Sequence, residues 1–210
     1  QRVLRAGPLD PGDALRVSVE VLSALEHAHA RGVIHADIKP GNVFMTVTGD
    51  VKLLDFGVAR VVPTADGGPS IAPAPDPGLA GTALYMSPAR LRGEPAEVTD
   101  DLWAAALLVW ETFTGQHPYE GRSWRDLYAR LRDGAVDEDL LPSHPNVPDG
   151  VLAVLRRALH PREDVRFRDA RAMRLALAAV TIDDTAREPS PRLRSGVYAS
   201  RRGPCQGKAR

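Results

Sequence analysis

The strongest constraint on the fold is one stretch, Leu102 to Trp110, that is apolar throughout. Thr99 or Asp100 supplies an N-cap before it and Gly115 a stop signal after it, so we predict a helix that runs to about Thr114. Because this helix is apolar on every face, it must be buried on all sides. The run is far shorter than the roughly 20 residues that a membrane-spanning helix needs, so other elements of the chain must surround it.

Composition narrows the class of protein. The chain has 210 residues, 43% of them hydrophobic, which suffices for one domain with a core. Basic and acidic side chains balance at 27 each, so the net charge gives no indication of a nucleic-acid or anionic-membrane partner. Cys205 is the only cysteine, which excludes an internal disulfide and suits a reducing compartment. We expect a cytoplasmic protein with no membrane segment in this chain.

Patterns before the apolar helix predict one further helix and a hairpin. The spacing of leucine and valine favours a helix over 13–30, which Gly32 ends. Val33-Ile34 is predicted to be a short strand. Val43–Met45 and Val51–Leu54 are predicted to be two strands joined through a turn at 48–50.

Later segments add helices and two irregular regions. We predict helices that open at Ser123, Asp149 and Asp169, the last two running to about residues 160 and 180. Residues 63–81 are rich in proline and glycine, which predicts a long, mobile surface loop. Residues 181–210 are polar and basic, which predicts a disordered tail or linker after a domain of residues 1–180. The fold class indicated is α+β, mostly α.

Polar side chains with the chemistry of a cation site lie around the predicted hairpin. Asp37, Asn42 and Asp55 stand at strand ends or in the loop beside them, and the hairpin brings Asn42 close to Asp55. Such oxygen ligands suit Mg²⁺, which prefers a few protein oxygens together with phosphate oxygens. Lys39, a compact cation, is placed to neutralise a transferred phosphoryl group. For Asp55-Phe56-Gly57 alone, ordinary turn preferences are the better explanation, but they do not account for the whole set.

The ordered set resembles the protein kinase signature. H-A-D-I-K-P-G-N at 35–42 and D-F-G at 55–57 are similar to H-R-D-L-x-x-x-N followed by D-F-G. Lysine two residues after the aspartate is the serine/threonine pattern. Four further segments resemble family motifs: 81–88 (G-T-x-x-Y-M-A-P), 99–103 (S/T-D-x-W), 114–119 (T-G-x-x-P-F) and 166–170 (R-F-x-D-A).

The resemblance implies a serine/threonine protein kinase that transfers the γ-phosphate of ATP, with Mg²⁺, to Ser or Thr of a protein substrate. Asp37 would be the catalytic base, and Lys39 would be catalytic and would contact the γ-phosphate. Asn42 and Asp55 would hold the metal and, through it, the nucleotide. His35 is predicted to be a packing residue of the loop, and His29 an ordinary surface or core residue.

The family's Gly-rich loop, strand lysine and helix glutamate do not occur in the sequence, and they should precede residue 1. We therefore expect the large C-terminal lobe of a protein-kinase-like fold, with the small N-terminal lobe absent from this chain. The sequence also begins with Gln1 rather than Met, which suggests a fragment, a processed chain or a shortened one. On this hypothesis the chain as given does not turn over ATP by itself.

Two substitutions depart from the family pattern. Ala36 replaces the arginine that receives an activation-loop phosphate, so we predict that activity depends only weakly on phosphorylation at Thr64 or Ser70. Ala89 stands where the A-P-E motif has glutamate, the residue that pairs with a large-lobe arginine. Arg166 is the candidate arginine, so it must be exposed or must pair with another acid such as Glu94.

Two other functional classes are compatible with parts of the sequence. A pseudokinase or protein-binding module would explain Ala36 and Ala89, and a small-molecule phosphotransferase such as an aminoglycoside kinase shares the H-x-D-x-x-x-x-N loop. Lys39 and the segments at 81–88 and 99–103 argue against the phosphotransferase. Retention of Asp37, Lys39, Asn42 and Asp55 argues against a role in binding alone.

Overall fold

The computed structural model describes residues 7–46, 50–56, 83–119, 129–130 and 141–182. This part of the chain is mostly helical, with one two-stranded antiparallel sheet. Its helices are α1 (Pro11–His29), α2 (Pro88–Leu91), α3 (Val98–Thr114), α4 (Asp149–Ala158) and α5 (Ala170–Ala178), its strands are β1 (Val43–Met45) and β2 (Val51–Leu53), and short 3₁₀ helices cover Pro40–Asn42 and Glu163–Val165.

Helix α3 lies at the centre, as its apolar sequence predicts. Every residue from Asp100 to Trp110 is buried, and α1, α4 and α5 pack around the helix. The predicted N-cap is wrong by two or three residues. Glu97 caps the helix in a reciprocal capping box with Asp100, in which each side chain accepts a hydrogen bond from the backbone N–H of the other residue.

The C-terminal end of α3 is closed by Gly115, in agreement with the prediction. Its φ of 75° is the left-handed conformation that ends many helices. A Cβ atom at this position would lie 2.8 Å from the Pro8 side chain, so a glycine is also required by close approach. Leu9 donates a backbone hydrogen bond of 3.0 Å to the carbonyl of Thr112, which docks the segment before α1 on this end of α3.

Helix α1 begins at Pro11, two residues before its predicted start, because the Asp10 side chain caps it by accepting from the backbone N–H of Gly12. The strand predicted at Val33-Ile34 is wrong. Val33 instead donates to the carbonyl of Ala28 at 3.1 Å, so its backbone closes the end of α1 rather than pairing with a strand.

The two predicted strands are confirmed as an antiparallel pair, with Val43 opposite Leu53 and Met45 opposite Val51, and the second strand ends one residue earlier than predicted. Residues 48 and 49 of the predicted turn lie outside the described residues. It is fixed to α1 because Glu20 accepts a hydrogen bond of 3.0 Å from the backbone N–H of Val51.

The predicted helices at Asp149 and Asp169 are also found, and the Asp169 side chain caps α5 by accepting from the N–H of Ala172. The predicted loop at 63–81, nearly all of the helix from Ser123, and residues 183–210 of the predicted tail lie outside the described residues. None of the helices described has the length and apolar character needed to cross a membrane.

Candidate active site

Three of the four predicted site residues contact one another in the loop between α1 and β1. Asn42 is buried, and its Nδ2 donates to both the backbone carbonyl and the carboxylate Oδ2 of Asp37, each at 2.8 Å. The ammonium group of Lys39 lies 2.8 Å from the same Oδ2. The 3₁₀ helix at 40–42 produces this arrangement, because it turns the chain so that Asn42 faces back toward Asp37.

The two oxygens of the Asp37 carboxylate have different surroundings. Oδ2 accepts from an amide and an ammonium group, whereas Oδ1 is buried and has no hydrogen-bond partner among the described residues. A buried carboxylate oxygen without a partner is costly, and in a native structure such a group points to function. The arrangement therefore fixes the carboxylate through Oδ2 and leaves Oδ1 without a donor from these residues.

Asp55 follows β2 directly beside this loop. The backbone N–H of Leu54 donates to the carbonyl of Asn42 at 2.8 Å, which places Asp55 next to the loop, and its side chain is exposed. Asp55 has a φ of 59°, a conformation that costs a non-glycine residue about 1–3 kcal/mol and that is enriched at functional sites.

A buried acid on α3 binds the backbone of the loop that contains Asp37. Asp101, 1% exposed, accepts hydrogen bonds of 2.8 Å from the backbone N–H groups of His35 and Ala36 and makes a third contact of 2.8 Å with Nε2 of His29. Ala36 is held at a φ of 61°, so these bonds fix a strained residue immediately before Asp37.

The role of His29 was missed by the sequence analysis, which treated it as an ordinary residue. It contacts Asp101 across 72 positions of sequence. The available signal was Asp101 itself, since an acid at the start of a wholly buried helix needs donors from elsewhere in the chain.

His35 is fully buried, in agreement with its prediction as a packing residue. Its Nε2 bonds the carbonyl of Leu54 at 2.9 Å, and its ring lies 4.5 Å from the ring of Phe56. Both contacts join the loop of Asp37 to the residues on either side of Asp55.

The donor set fits Mg²⁺ better than a soft transition metal. Because Nδ2 of Asn42 is used by Asp37, its amide oxygen is the atom left for a ligand, and Asp55 offers an exposed carboxylate. Mg²⁺ takes one or two such oxygens and completes its shell with water and phosphate. Within the described ranges, no group of three or more His, Cys, Asp or Glu residues could hold a metal by itself.

An apolar surface that the sequence analysis did not single out adjoins these polar groups. Phe44, Leu54 and Phe56 are 53%, 43% and 39% exposed, on β1 and just after β2. Phe44 could have been found from strand alternation, because its neighbours Val43 and Met45 point toward the core.

A small cavity lies between the loop that contains Asp37 and residues 85–87. Its lining includes Asp37, Tyr85, Ser87 and Arg90. The hydroxyl of Tyr85 donates to Glu111, and burial together with this carboxylate raises the pKa of Tyr85, so the hydroxyl keeps its proton. The segment that contains Tyr85 is thus fixed to α3.

Arg166 behaves differently from two of the alternatives foreseen for it. It is buried rather than exposed, and Glu94 pairs with Arg92 at 2.6 Å instead. Arg166 donates to the carbonyls of His160 and Pro161, and its guanidinium lies over the Trp103 ring at 4.8 Å. Its nearest acid is Glu163 at 3.6 Å, so another acid does take part, at longer range.

Comparison with known proteins decides the family. The model of the protein kinase domain matches residues 1–175. The chain belongs to the protein kinase family. Its relatives place it among the bacterial serine/threonine kinases, and their similarity extends over most of its length.

Two relatives illustrate the similarity of this kinase domain. Serine/threonine-protein kinase PknB of Mycobacterium tuberculosis is 33% identical over 177 residues, which is 83% of this chain and 27% of that protein. Probable serine/threonine-protein kinase PknB of Corynebacterium glutamicum is 32% identical over 210 residues, 90% of this chain and 31% of that protein. The kinase domain thus spans about a third or less of the length of these curated relatives.

Proposed function

We propose that the full protein transfers the γ-phosphate of ATP to serine or threonine of a protein substrate, in the cytoplasm where ATP is available. The observation that carries this proposal is the asymmetry of Asp37. One of its carboxylate oxygens is fixed by Asn42 and Lys39, and the other is buried without a partner in the part of the chain that the structure describes. A positioned carboxylate of this kind can orient a hydroxyl group and accept its proton.

Lys39 has a second function in this scheme. Its ammonium group lies 2.8 Å from the Asp37 carboxylate and is 27% exposed, so it can reach a phosphoryl group that approaches the same carboxylate. The positive charge would offset the negative charge on the transferred group as the substrate hydroxyl approaches. Most of the rate would come from this positioning and charge stabilisation rather than from covalent catalysis.

Asn42 and Asp55 would hold Mg²⁺ through the amide oxygen and the carboxylate. When bound, the ion would neutralise charge on the phosphate oxygens of ATP. The exposed apolar surface of Phe44, Leu54 and Phe56 lies on the same hairpin and would contact the purine ring. We propose that the described helices and hairpin form the large lobe of the kinase domain.

The decisive variant is Asp37→Asn in the full-length protein. It keeps an acceptor for Asn42 but cannot take a proton at neutral pH, so transfer of labelled phosphate from ATP to casein should fall by about 10²–10⁴-fold. Asp164→Asn, which changes an exposed aspartate paired with Arg162, is the matched control and should leave transfer unchanged. Equal transfer by the Asp37→Asn variant would contradict the proposal. No transfer by the unmodified protein would favour a protein-binding module.

A further inference from the structure

The substrate-side segment, residues 83–91, is held on α3 by a contact that the family motifs do not contain. Ser87 stands where G-T-x-x-Y-M-A-P has alanine. The spacing of S/T-D-x-W matches its D-x-W to Asp101, Leu102 and Trp103, so Asp100 stands where the motif has Ser or Thr. These two departures meet in space, because the Ser87 hydroxyl donates to Oδ1 of Asp100 at 2.5 Å.

Both partners of this hydrogen bond are buried, Ser87 being 2% and Asp100 7% exposed. The Ser87 hydroxyl also accepts from the N–H of Arg90 and so caps α2, while Oδ2 of Asp100 accepts from the N–H of Glu97 and so caps α3. One buried bond therefore joins the caps of two helices, the first in the substrate-side segment and the second at the centre of the core.

The ion pair that serves this purpose in the family pattern is not formed. Position 89 is alanine, and Arg166 is occupied by the carbonyls of His160 and Pro161. Trp103, whose ring Arg166 covers, lies one turn after Asp100 on α3. Burial lowers the pKa of Arg166, and the carboxylates of Glu163 and Asp100 act in the opposite direction. Asp100 thus supplies negative charge near Arg166 while it holds Ser87.

We propose that Ser87 and Asp100 are positioning residues that anchor the substrate-side segment to α3 in place of the glutamate–arginine pair. The inference rests on the proposed kinase function, since the segment matters for the acceptor protein. The anchor needs neither a phosphate on the activation loop nor a charge at position 89. It acts on the binding of the protein substrate and not on the binding of ATP.

Two variants of the full-length protein separate the anchor from simple helix capping. Ser87→Ala removes the cap of α2 and the tie to Asp100, whereas Asp100→Asn leaves the hydroxyl of Ser87 free to cap α2 but weakens the tie. Both should raise the KM for casein about tenfold, as expected for the loss of a buried charge-assisted hydrogen bond, with the KM for ATP unchanged. Ser87→Thr keeps the hydroxyl group and should preserve both constants.

Hydrogen–deuterium exchange gives a readout that does not depend on activity. In the segment 88–91 the exchanging amides are those of residues 89–91, because residue 88 is proline, and they should exchange faster in both variants, with those of residues 102–110 unchanged. Ser18→Ala is the matched control, since Ser18 is equally buried and, among the described residues, its hydroxyl bonds the carbonyl of Ala14 within α1. It should change neither KM nor exchange at 88–91.

The outcomes separate the anchor from the kinase proposal. An effect in Ser87→Ala but not in Asp100→Asn would reduce the contact to a helix cap and overturn the anchor. Equal changes in both KM values, or faster exchange throughout the core, would overturn it as well. Faster exchange at 88–91 in both variants of a protein that transfers no phosphate would uphold the anchor while refuting the proposed function.

Discussion

Two loops that border α3 are each held by a buried charge, one acidic and one basic. Asp101 accepts hydrogen bonds from two backbone N–H groups of the loop that contains Asp37 and contacts a ring nitrogen of His29, with all three distances at 2.8 Å. Arg166 donates hydrogen bonds of 2.6 and 3.2 Å to the backbone carbonyls of residues 160 and 161. Its ion pair with Glu163 is longer, at 3.6 Å. In both places backbone dipoles, more than an opposite charge, compensate for burial.

The two loops differ in which backbone groups would lose their hydrogen-bond partner if the buried charge were removed. Backbone N–H groups that are left unpaired in the interior are rarer, and so less tolerated, than carbonyls that lack one partner. The N–H groups bonded by Asp101 also belong to residues adjoining Asp37, whereas those carbonyls lie far along the chain from the predicted site. The acidic anchor should therefore matter for both folding and activity, and the basic anchor mainly for folding.

The largest expected effect is that of Asp101→Ala. It strands two backbone N–H groups and the ring of His29, so the free energy of unfolding should fall by about 3–5 kcal/mol. Ala36 would lose the bonds that hold its positive φ, and phosphate transfer should fall about a hundredfold. Urea unfolding and a transfer assay measure both. Asp164→Ala, at an exposed position, should cost less than about 0.5 kcal/mol.

Arg166→Met should cost less, about 1–2 kcal/mol in unfolding free energy. Methionine retains contact with the Trp103 ring and removes a buried charge, but leaves two carbonyls without this donor. Phosphate transfer at saturating substrate should stay within about twofold of the unmodified protein. Arg162→Met, whose side chain is 71% exposed, is the control for the loss of an arginine. A cost equal to that of Asp101→Ala would erase the contrast between the two anchors.

His117 is a further ionisable side chain that extends the comparison, because its buried Nε2 has no hydrogen-bond partner within the described ranges. Burial lowers its pKa to about 4 from an ordinary 6.5. Between these values the unfolded chain binds the proton and the folded chain does not, so stability is full above pH 6.5 and falls as the pH drops toward 4. The slope should reach up to about 1.4 kcal/mol per pH unit. Urea unfolding at pH 7, 6 and 5 should show a smaller slope for His117→Gln.

The smallest effect is expected for His29→Ala. Asp101 keeps its two backbone donors, so the loss should be about 1 kcal/mol, the net value of one hydrogen bond. His27→Ala is the matched control, because His27 lies on the same helix with an exposed side chain. Thermal unfolding of the two variants compares them directly. If His29→Ala were as damaging as Asp101→Ala, the ring and not the backbone would be the main partner of the acid.

Local signals explain which parts of the fold could be predicted. The apolar run of α3, the glycine at 115 and the alternation of the hairpin each depend on neighbouring residues, and all three are found. Val33-Ile34 was misjudged because two apolar residues do not determine a strand, and the end of α1 supplied a closer acceptor.

Partners distant in sequence could not be predicted. The motifs pointed to Asp37, Lys39 and Asn42. They did not predict that the two oxygens of Asp37 have different hydrogen-bond surroundings, which depends on the 3₁₀ turn. The contact of His29 with Asp101 and the carbonyl partners of Arg166 arise only when α1 and the loop at 160–161 pack against α3. Burial and packing, rather than any local pattern, select these contacts.

The close approach of Pro8 to Gly115 fixes what can occupy the C-terminal end of α3. The helix is about 25 Å long. Pro8 packs against its C-terminal end, and the loop that contains Asp37 is bonded to Asp101 near its N-terminal end. This packing is tight, since even one methyl group at position 115 would collide with Pro8. Residues 7–9 and the strained backbone at Ala36 therefore lie at opposite ends of one buried helix.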